Sequence, residues 1–410
     1  MKNIALIGYG VVGHGVAELL SQNADVIAKR AGVPVRLKRI LTSRPRTDDS
    51  RQELLTQNEN DVFGDYGISI VVECINDLEA AYRYCRRALS SGKHYVTSNK
   101  NLIATYGVEL TELADRNDVA LMFEASVAAG IPVLRPLYKC LSSNRVTEVM
   151  GIVNGTTNYI LTQMKREGRS FAEALKSAQD LGYAETDPTA DVEGCDACRK
   201  LAILLTIAFG RYVRYQDIAT EGITSVSSSD ISLAGQLGYS MKLVAMGKVN
   251  SSDQVYARVS PLLIPHDHLL ASVEDVFNAV AVSADMAGDV LFYGRGAGAE
   301  PSASSMVGDV IDIVTNGRYN DPVWREDYRP LIPVETNVGA LFVRTPSSER
   351  DKLLRLFPGG STAEAREEIG FITPVGEETE FRGMLQAANI EVKALWRVFS
   401  QTSPEEGRRG

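Results

Sequence analysis

The sequence Ile4-Ala5-Leu6-Ile7-Gly8-Tyr9-Gly10-Val11-Val12-Gly13 places a short apolar run directly before a G-x-G-x-x-G pattern. Apolar residues then recur at 12, 16, 19 and 20, so the pattern predicts a buried strand, a tight turn and a helix. Gly8 permits the turn, Gly10 lets the backbone approach a pyrophosphate, and Gly13 allows the helix to pack closely on the strand. The helix N-terminus favours the negative charge of the ligand. Dinucleotide binding is therefore predicted for Gly8, Gly10, Val11, Val12 and Gly13.

Strand-like and helix-like segments continue to alternate along the first third of the chain. Strands are predicted at 35–41, 68–72, 94–97 and 120–123, with helices at 77–91 and 107–117. This alternation predicts an α/β fold with a Rossmann-type parallel sheet over residues 1–130. A helix near 302–316 is expected to return and close this domain.

The pattern changes after Gly130-Ile131-Pro132. Residues 131–320 are predicted to form an α+β substrate domain, in which 191–209 is one long helix. Residues 331–398 are predicted to form a third, small α+β unit, so a chain that ends near Tyr328 should still fold. Residues 400–410 are polar and are predicted to be a disordered tail.

Composition restricts the classes of partner. A formal net charge of −9 over 410 residues argues against binding to nucleic acid or to an anionic membrane surface. No apolar run approaches the ~20 residues that span a bilayer. Five cysteines form no even disulfide framework, which favours a cytoplasmic location. The expected partner is a small-molecule substrate.

The end of the second strand bears on the choice of cofactor. Leu41-Thr42-Ser43-Arg44-Pro45-Arg46 carries no acidic residue that could bind the ribose 2′-hydroxyl of NAD. Hydroxyls and two guanidinium groups suit a 2′-phosphate better, so NADP is favoured and NAD stays possible. The alternative is that both arginines are solvated loop charges.

Two further segments carry chemistry. Thr97-Ser98-Asn99-Lys100 follows a strand at the sheet edge where ligands bind, although a helix cap with an exposed lysine is the alternative. The acidic stretch from Gly182 to Lys200 ends with Asp196 and Lys200, which share a helix face at i and i+4. Such a pair is usually a surface ion pair, but an apolar run follows directly, so a buried site is equally open. Cys195-x-x-Cys198 lacks a second pair, which disfavours a metal or redox role.

In these motifs and their order the chain resembles homoserine dehydrogenase over roughly residues 1–320. The resemblance rests on the glycine pattern, on Thr97–Lys100 and on four longer stretches: 124–132, 151–161, 182–200 and 294–304. It implies NAD(P)-dependent, reversible hydride transfer between L-aspartate 4-semialdehyde and L-homoserine, and a homodimer paired through the substrate domain.

The resemblance also implies roles for individual residues. Lys200 and Lys100 are the candidates for the acid–base lysine. On physical grounds, its ammonium can deliver the proton if burial lowers its pKa toward neutrality, and Asp196 would limit that decrease. Asp196 would bind substrate and orient Lys200, and Glu185 would hold the substrate ammonium. Further pocket residues are Gly155, Thr156 and Tyr183. Further cofactor contacts are Arg44, Thr97, Ser98, Lys100 and Gly296. A sodium ion would be bound by the main-chain oxygens of Glu124, Val127, Ala129 and Ile131.

The sequence departs from the family in two places. Asn76-Asp77 stands where members often have a Gly-Gly pair, and Glu300 stands where they tend to have an apolar residue. Residues 331–398 have the length of an ACT regulatory module but lack a clear glycine-rich ligand loop, which leaves threonine regulation open. Two alternatives also stay open: a different semialdehyde or hydroxy-acid dehydrogenase, and a nucleotide sensor without catalysis. A sensor would not need acid–base lysines.

Overall fold

The computed structural model describes residues 1–44, 50–318, 328, 330–333 and 338–399. Arg46 and the tail at 400–410 lie outside the described residues. No helix in the described part of the chain is long and apolar enough to cross a membrane.

The N-terminal part forms a parallel sheet of six strands among the described residues, in the order β3-β2-β1-β4-β5-β6. The strands are β1 (Lys2–Ile7), β2 (Val35–Leu41), β3 (Leu55–Thr56), β4 (Ile68–Glu73), β5 (His94–Thr97) and β6 (Leu121–Met122). The helices are α1 (Val11–Gln22), α2 (Ala24–Ala31), α3 (Asn60–Phe63), α4 (Leu78–Ser90) and α5 (Lys100–Arg116). The predicted Rossmann-type sheet is confirmed. The strand order reverses between β1 and β4, so a ligand crevice opens at the carboxyl ends of these strands.

A helix from much later in the chain packs on this sheet. The helix α11 (Ala299–Asn316) lies against α1, so closely that a Cβ on Gly15 would be 2.9 Å from the carbonyl oxygen of Ala299. Met306 and Val310 of α11 share a buried core with Val16 of α1. This part of the chain therefore completes the N-terminal core.

The second sheet is mixed and contains eleven strands among the described residues. Its path is β12-β11-β7-β9-β10-β17-β13-β15-β14, with β8 and β16 paired to its side. The strands before residue 300 are β7 (Val146–Ile152), β8 (Ala219–Thr220), β9 (Tyr239–Val249), β10 (Val255–Pro265), β11 (Phe277–Ala284) and β12 (Gly288–Arg295). The helices are α6 (Gly155–Glu167), α7 (Phe171–Asp180), α8 (Thr189–Val192), α9 (Cys195–Phe209) and α10 (Ser228–Gln236).

The single long helix predicted over 191–209 is wrong. Gly194 has a left-handed φ of 79° and separates α8 from α9. Only a residue without a side chain adopts this conformation at low cost. The break leaves Asp196 in the first turn of α9.

The C-terminal residues continue the second sheet. They form β13 (Val338–Pro346), α12 (Arg350–Leu356), β14 (Ser361–Ala365), β15 (Glu368–Ile372), β16 (Gly376–Glu377), α13 (Glu378–Ala387) and β17 (Ala394–Val398). Their main elements follow a β-α-β-β-α-β order. β17 pairs in parallel with β10, where Leu262 lies opposite Arg397. Across the same boundary, Arg344 of β13 donates to the fully buried Asp230 of α10 at 2.7 Å. The structure thus joins this unit to the substrate domain, where the sequence suggested a separate body.

Candidate active site

One buried carboxylate binds two lysines that belong to different helices, α9 and α5. Asp196 Oδ2 lies 2.7 Å from Lys200 Nζ, one helical turn further along α9. Asp196 Oδ1 lies 2.8 Å from Lys100 Nζ, which belongs to the first residue of α5. The side chains are 6%, 12% and 35% exposed for Asp196, Lys200 and Lys100. The structure therefore brings all three predicted catalytic residues together.

The local sequence explains where the carboxylate lies. Gly194 turns the chain into α9, so Asp196 falls in the first turn, where a negative charge interacts favourably with the helix dipole. The following side chains from Leu201 to Leu205 are all buried. Asp196 and Lys200 therefore lie in the N-terminal part of a buried helix. They do not form the surface ion pair that their spacing also allowed.

The charges of the cluster support each other. Burial alone would raise the pKa of Asp196, but the ammonium groups of Lys200 and Lys100 outweigh it and hold that pKa well below its usual range. Burial alone would lower the pKa of Lys100, but the Asp196 carboxylate outweighs it and raises the pKa. The expectation that burial lowers the pKa of a catalytic lysine toward neutrality is therefore wrong for Lys100 in this structure.

Asn154 is a site residue that the sequence analysis did not select. Its Nδ2 donates to Asp191 Oδ1 at 2.7 Å and to Asp196 Oδ2 at 2.9 Å, and its Oδ1 accepts the N–H of Thr157. It thereby caps α6 and joins two carboxylates. Burial raises the pKa of Asp191 despite the Asn154 hydrogen bond. The signal was its position directly before Gly155 and Thr156, which the family resemblance places in the pocket.

The predicted pocket residues lie around this cap. Thr156 Oγ1 donates to the carbonyl oxygen of Tyr183 at 2.7 Å, and the ring of Tyr183 packs edge-on against Tyr159. A Cβ on Gly155 would be 3.0 Å from the Val276 carbonyl oxygen, so this position accepts little more than glycine. Glu185 is exposed, while Gln179 Nε2 donates to its carbonyl oxygen at 3.2 Å.

Lys200 has a second partner at this site. Its Nζ donates to the Val153 carbonyl oxygen at 2.8 Å, directly before the Asn154 cap. The ammonium is thus held by a main-chain dipole and by a carboxylate. Lys100, by contrast, has a more exposed side chain.

The glycine turn has the geometry that a dinucleotide requires. Gly8 adopts a left-handed φ of 87°, and a Cβ on Gly13 would be 2.1 Å from the Gly8 carbonyl oxygen. No atom lies within 4 Å of a Cβ built on Gly10, so the space above this residue is open. Gly10 is the residue directly before α1 and has no side chain that could cap the helix. The N–H groups of the first turn are therefore left for an anion. Val11 is exposed beside it.

The other predicted cofactor residues are placed differently from one another. Arg44 is exposed after β2, where its N–H donates to Thr42 Oγ1 at 3.3 Å. Thr97 is buried and its hydroxyl donates into the protein, to Glu73, while Ser98 is half-buried. Gly296 is buried, and a Cβ there would be 2.0 Å from the Asn278 amide nitrogen.

The loop predicted to bind sodium is held by buried polar contacts. The Glu124 carboxylate accepts three successive N–H groups, those of Val133, Leu134 and Arg135, at 2.8–2.9 Å. Ala129 has a left-handed φ of 41°, and its carbonyl oxygen accepts the Ser305 hydroxyl at 2.6 Å. A carbonyl oxygen has two lone pairs, so Ala129 keeps one for a cation. Both carboxylate oxygens of Glu124 thus accept main-chain N–H groups, and its main-chain oxygen accepts the N–H of Val127 at 3.5 Å.

Within the Cys195-x-x-Cys198 pair, Cys198 lies in the protein interior. Cys198 is buried and its Sγ donates to the Tyr215 carbonyl oxygen at 3.3 Å. Burial raises the pKa of its thiol, which lowers its reactivity.

Comparison with known proteins identifies the family of the chain. The family model described as homoserine dehydrogenase matches residues 132–311, and the model described as homoserine dehydrogenase, NAD binding domain, matches residues 8–124. The chain belongs to the homoserine dehydrogenase family. A homoserine dehydrogenase of Bacillus subtilis is 39% identical over 96% of this chain and 98% of its own length. One of Synechocystis is 46% identical over 83% of this chain and 82% of its own length.

Solved structures of the family share this fold over 78–97% of the chain. A homoserine dehydrogenase from Thiobacillus denitrificans superposes with a TM-score of 0.87 at 35% identity, covering 97% of this chain and 98% of that one. A hyperthermophilic archaeal homoserine dehydrogenase in complex with NADPH gives 0.63 at 27% identity, covering 78% and 99%. The chain is thus an oxidoreductase that acts on a CH–OH group with a nicotinamide cofactor. It interconverts L-homoserine and L-aspartate 4-semialdehyde, a reaction of threonine and methionine biosynthesis.

Proposed function

We propose that the cluster at Asp196 is the acid–base centre of this homoserine dehydrogenase. The observation that carries the proposal is the pairing of one buried carboxylate with Lys200 of α9 and Lys100 of α5. The nicotinamide cofactor supplies or accepts the hydride when bound. The chain itself must hold the substrate and move one proton.

The two ammonium groups suit the reduction of the aldehyde. Negative charge develops on the aldehyde oxygen, and a lysine ammonium beside it stabilises that charge and donates a proton. Asp196 orients both lysines and raises the pKa of Lys100, which keeps that lysine protonated until then. In the opposite direction a lysine must first lose its proton, and Asp196 opposes this loss because it raises the pKa of Lys100. We therefore expect homoserine oxidation to be fastest at alkaline pH.

The remaining pocket residues would fix the amino-acid end of the substrate. Gly155, Thr156 and Tyr183 line the cap beside Asn154. The exposed carboxylate of Glu185 is available for the substrate ammonium, since no charged side chain neutralises it among the described residues. Substrate binding would cover this segment.

For the cofactor we propose NADP(H) as the preferred form, with NAD(H) as a weaker substitute. The support is Arg44, which is exposed beyond the end of β2, a strand that carries no acid, and whose main-chain N–H donates to the Thr42 hydroxyl. Main-chain atoms at Thr97 and Ser98 would line the adjacent part of the site. Gly296 would let the backbone approach the cofactor closely. Lys100 would lie between cofactor and substrate. Asn278 beside Gly296 is fully buried, and its amide has no partner within the described residues, which leaves a polar group for a ligand.

A monovalent cation such as sodium fits the loop at 124–131. The main-chain oxygens of Glu124, Val127, Ala129 and Ile131 would be its ligands. The left-handed conformation of Ala128 and Ala129 is unusual for residues with a side chain, and it supports a functional constraint on this loop. Such a cation would order this loop and would take no part in the proton transfer.

The larger organisation is also a proposal. Domain limits at 130 and 320, a homodimer through the substrate domain and a cytoplasmic location follow from the sequence and the family. The β-α-β-β-α-β order of residues 338–398 supports an ACT-like module in its topology, and a regulatory role remains a prediction.

The assay that tests the function follows absorbance at 340 nm. Purified protein should reduce L-aspartate 4-semialdehyde with NADPH and should oxidise L-homoserine with NADP⁺. Asp196→Asn should abolish most of both rates. If the chain oxidised a different hydroxy acid with a higher kcat/KM, the pocket assignment would be wrong. If Asp196→Asn matched the parent, the acid–base centre would lie elsewhere.

A further inference from the structure

A carboxyl group that no step above uses is buried at the carboxyl end of β4. Glu73 is completely inaccessible to solvent. Its Oε1 accepts the N–H of Ile75 at 2.5 Å, and its Oε2 accepts the Thr97 hydroxyl at 2.7 Å. Glu73 therefore ties the end of β4 to the end of β5. A fully buried carboxyl is costly, so its retention calls for a specific role.

The hydrogen bonds continue from Glu73 to the start of α5. Thr97 Oγ1 also accepts the N–H of Asn99 at 2.9 Å. Asn99 Oδ1 accepts the N–H of Leu102 at 3.0 Å and so caps α5, while Asn99 Nδ2 donates to the Ile75 carbonyl oxygen at 3.1 Å. The bonds form a closed ring through Glu73, Thr97, Asn99 and Ile75. Lys100 is the next residue after Asn99, so this ring fixes the backbone from which Lys100 reaches Asp196.

The same ring lies against the glycine turn. A Cβ on Gly8 would be 2.6 Å from Ile75 Cγ2 and 2.9 Å from the Cys74 carbonyl oxygen. The segment that Glu73 holds is therefore one wall of the cofactor site.

We propose that Glu73 is a positioning residue for the reaction, because its carboxyl closes the Glu73–Thr97–Asn99–Ile75 ring and thereby holds Lys100 on Asp196. The proposal rests on the role of Lys100 in the acid–base centre. Glu73 touches neither substrate nor cofactor in this scheme and acts only through α5.

The ionisation of Glu73 should affect the ring. Burial raises the pKa of Glu73 to about 7, in spite of the hydrogen bonds from Thr97 and Ile75, which favour the charged form. The titratable groups that face it are Tyr95 on β5, Cys74 after β4 and Cys85 on α4, and burial raises the pKa of each. None of them carries a charge at neutral pH. Two donors point at the carboxyl, so the ring is tightest when Glu73 is ionised.

The test is Glu73→Gln, which keeps the shape but offers only one acceptor oxygen. One of the two donors would then face an amide NH₂. We expect kcat for aldehyde reduction to fall about tenfold, the order of one lost charge-assisted hydrogen bond. The parent should show a rise of kcat near pH 7 that the variant lacks. Cys85→Ala is the matched control, since it alters the same core outside the ring, and its kcat should stay within about twofold of the parent.

A double-mutant cycle with Lys100→Ala separates this proposal from the proposed function. If Glu73 acts through Lys100, Glu73→Gln should change kcat less than about twofold in the Lys100→Ala background. A full tenfold loss there would overturn the proposal and leave the acid–base centre intact. A Lys100→Ala variant with parental kcat would instead refute the role of Lys100 itself.

A second measurement does not depend on turnover. Acylation of lysines, followed by mass spectrometry, should label Lys100 several-fold faster in Glu73→Gln than in Cys85→Ala, with Lys248 unchanged as the internal reference. Equal labelling of Lys100 in both variants would show that the ring does not hold it. If Glu73→Gln does not yield folded protein, Thr97→Val opens the same ring from β5 and takes its place in both experiments.

Discussion

The cofactor turn and the acid–base cluster are two regions of one site that are built in different ways. The turn at Gly8–Gly13 consists of main-chain atoms from six consecutive residues, and its geometry depends on the absence of side chains. The cluster consists of side chains from α5, α8, α9 and the cap of α6, which the chain brings together from positions 100, 154, 191, 196 and 200. A local pattern is enough to form the first region. The second exists only when both sheets are packed, so it depends on the whole fold.

The largest expected effect comes from removing the Asp196 carboxylate, which binds both lysines of the acid–base cluster. Asp196→Asn keeps the shape but removes the charge that holds Lys200 and Lys100, and we expect kcat to fall by about 10²–10⁴-fold, the usual contribution of positioned acid–base catalysis. Lys200→Ala should lose a similar factor while cofactor binding stays near the parent. The double variant should lose far less than the product of the two, because the residues act as a unit. Steady-state kinetics with both substrates measure these losses.

An exposed pair provides the control for these variants. Lys176 and Asp180 have the same i,i+4 spacing on α7, and both are exposed. Lys176→Ala should therefore leave kcat unchanged, since exposed pairs of this kind contribute little. Lys100→Ala decides between the donors. If Lys200→Ala kept nearly full kcat while Lys100→Ala abolished turnover, Lys100 would be the proton donor.

The next effect concerns the stability of the contact between the C-terminal unit and the substrate domain. Arg344 donates to Asp230 and to Glu368, at 2.7 Å and 2.9 Å, and Asp230 is fully buried. Arg344→Met would leave that carboxylate without its cation, and breaking a buried pair costs about 3–5 kcal/mol. We expect the free energy of unfolding in urea to fall by this amount. Arg350→Met is the control, because Arg350 forms only exposed pairs on the same unit and should change stability by less than about 1 kcal/mol.

Truncation removes the whole C-terminal unit and so tests the same contact with the substrate domain. A chain that ends at Tyr328 would lose the partner of Asp230 and the strand paired to β10. We therefore expect it to be destabilised, whereas a separate module could be removed without effect. A truncated protein with parental stability would show that the two parts fold independently.

The sequence predicted the first region better than the second for a physical reason. Glycine spacing and apolar periodicity act within a few residues, so the turn, α1 and the parallel sheet followed from them. The i,i+4 relation of Asp196 and Lys200 was equally local. Asn154 escaped selection because its two carboxylate partners lie 37 and 42 residues away. Strands β9 and β12 were not predicted, and the pairing of β10 with β17 joins residues more than 130 positions apart. No window of sequence contains such a contact. The same limit applies to Glu73, whose role depends on the neighbouring strand β5.

The smallest expected effect tests a side chain at the edge of the first region. Arg44 follows β2 at the carboxyl edge of the sheet, where a 2′-phosphate would lie. A charge-assisted contact with phosphate contributes about 1.5–3 kcal/mol, so Arg44→Ala should lower kcat/KM for NADPH by about ten- to a hundredfold and leave that for NADH within about threefold. Arg36→Ala is the matched control, since Arg36 is exposed on the same strand but near its opposite end. Because parallel strands present only their carboxyl ends to the ligand, Arg36→Ala should alter neither value. Equal losses for both cofactors in Arg44→Ala would show that this guanidinium supports the loop and does not distinguish the phosphate. The NADP preference would then depend on residues other than Arg44.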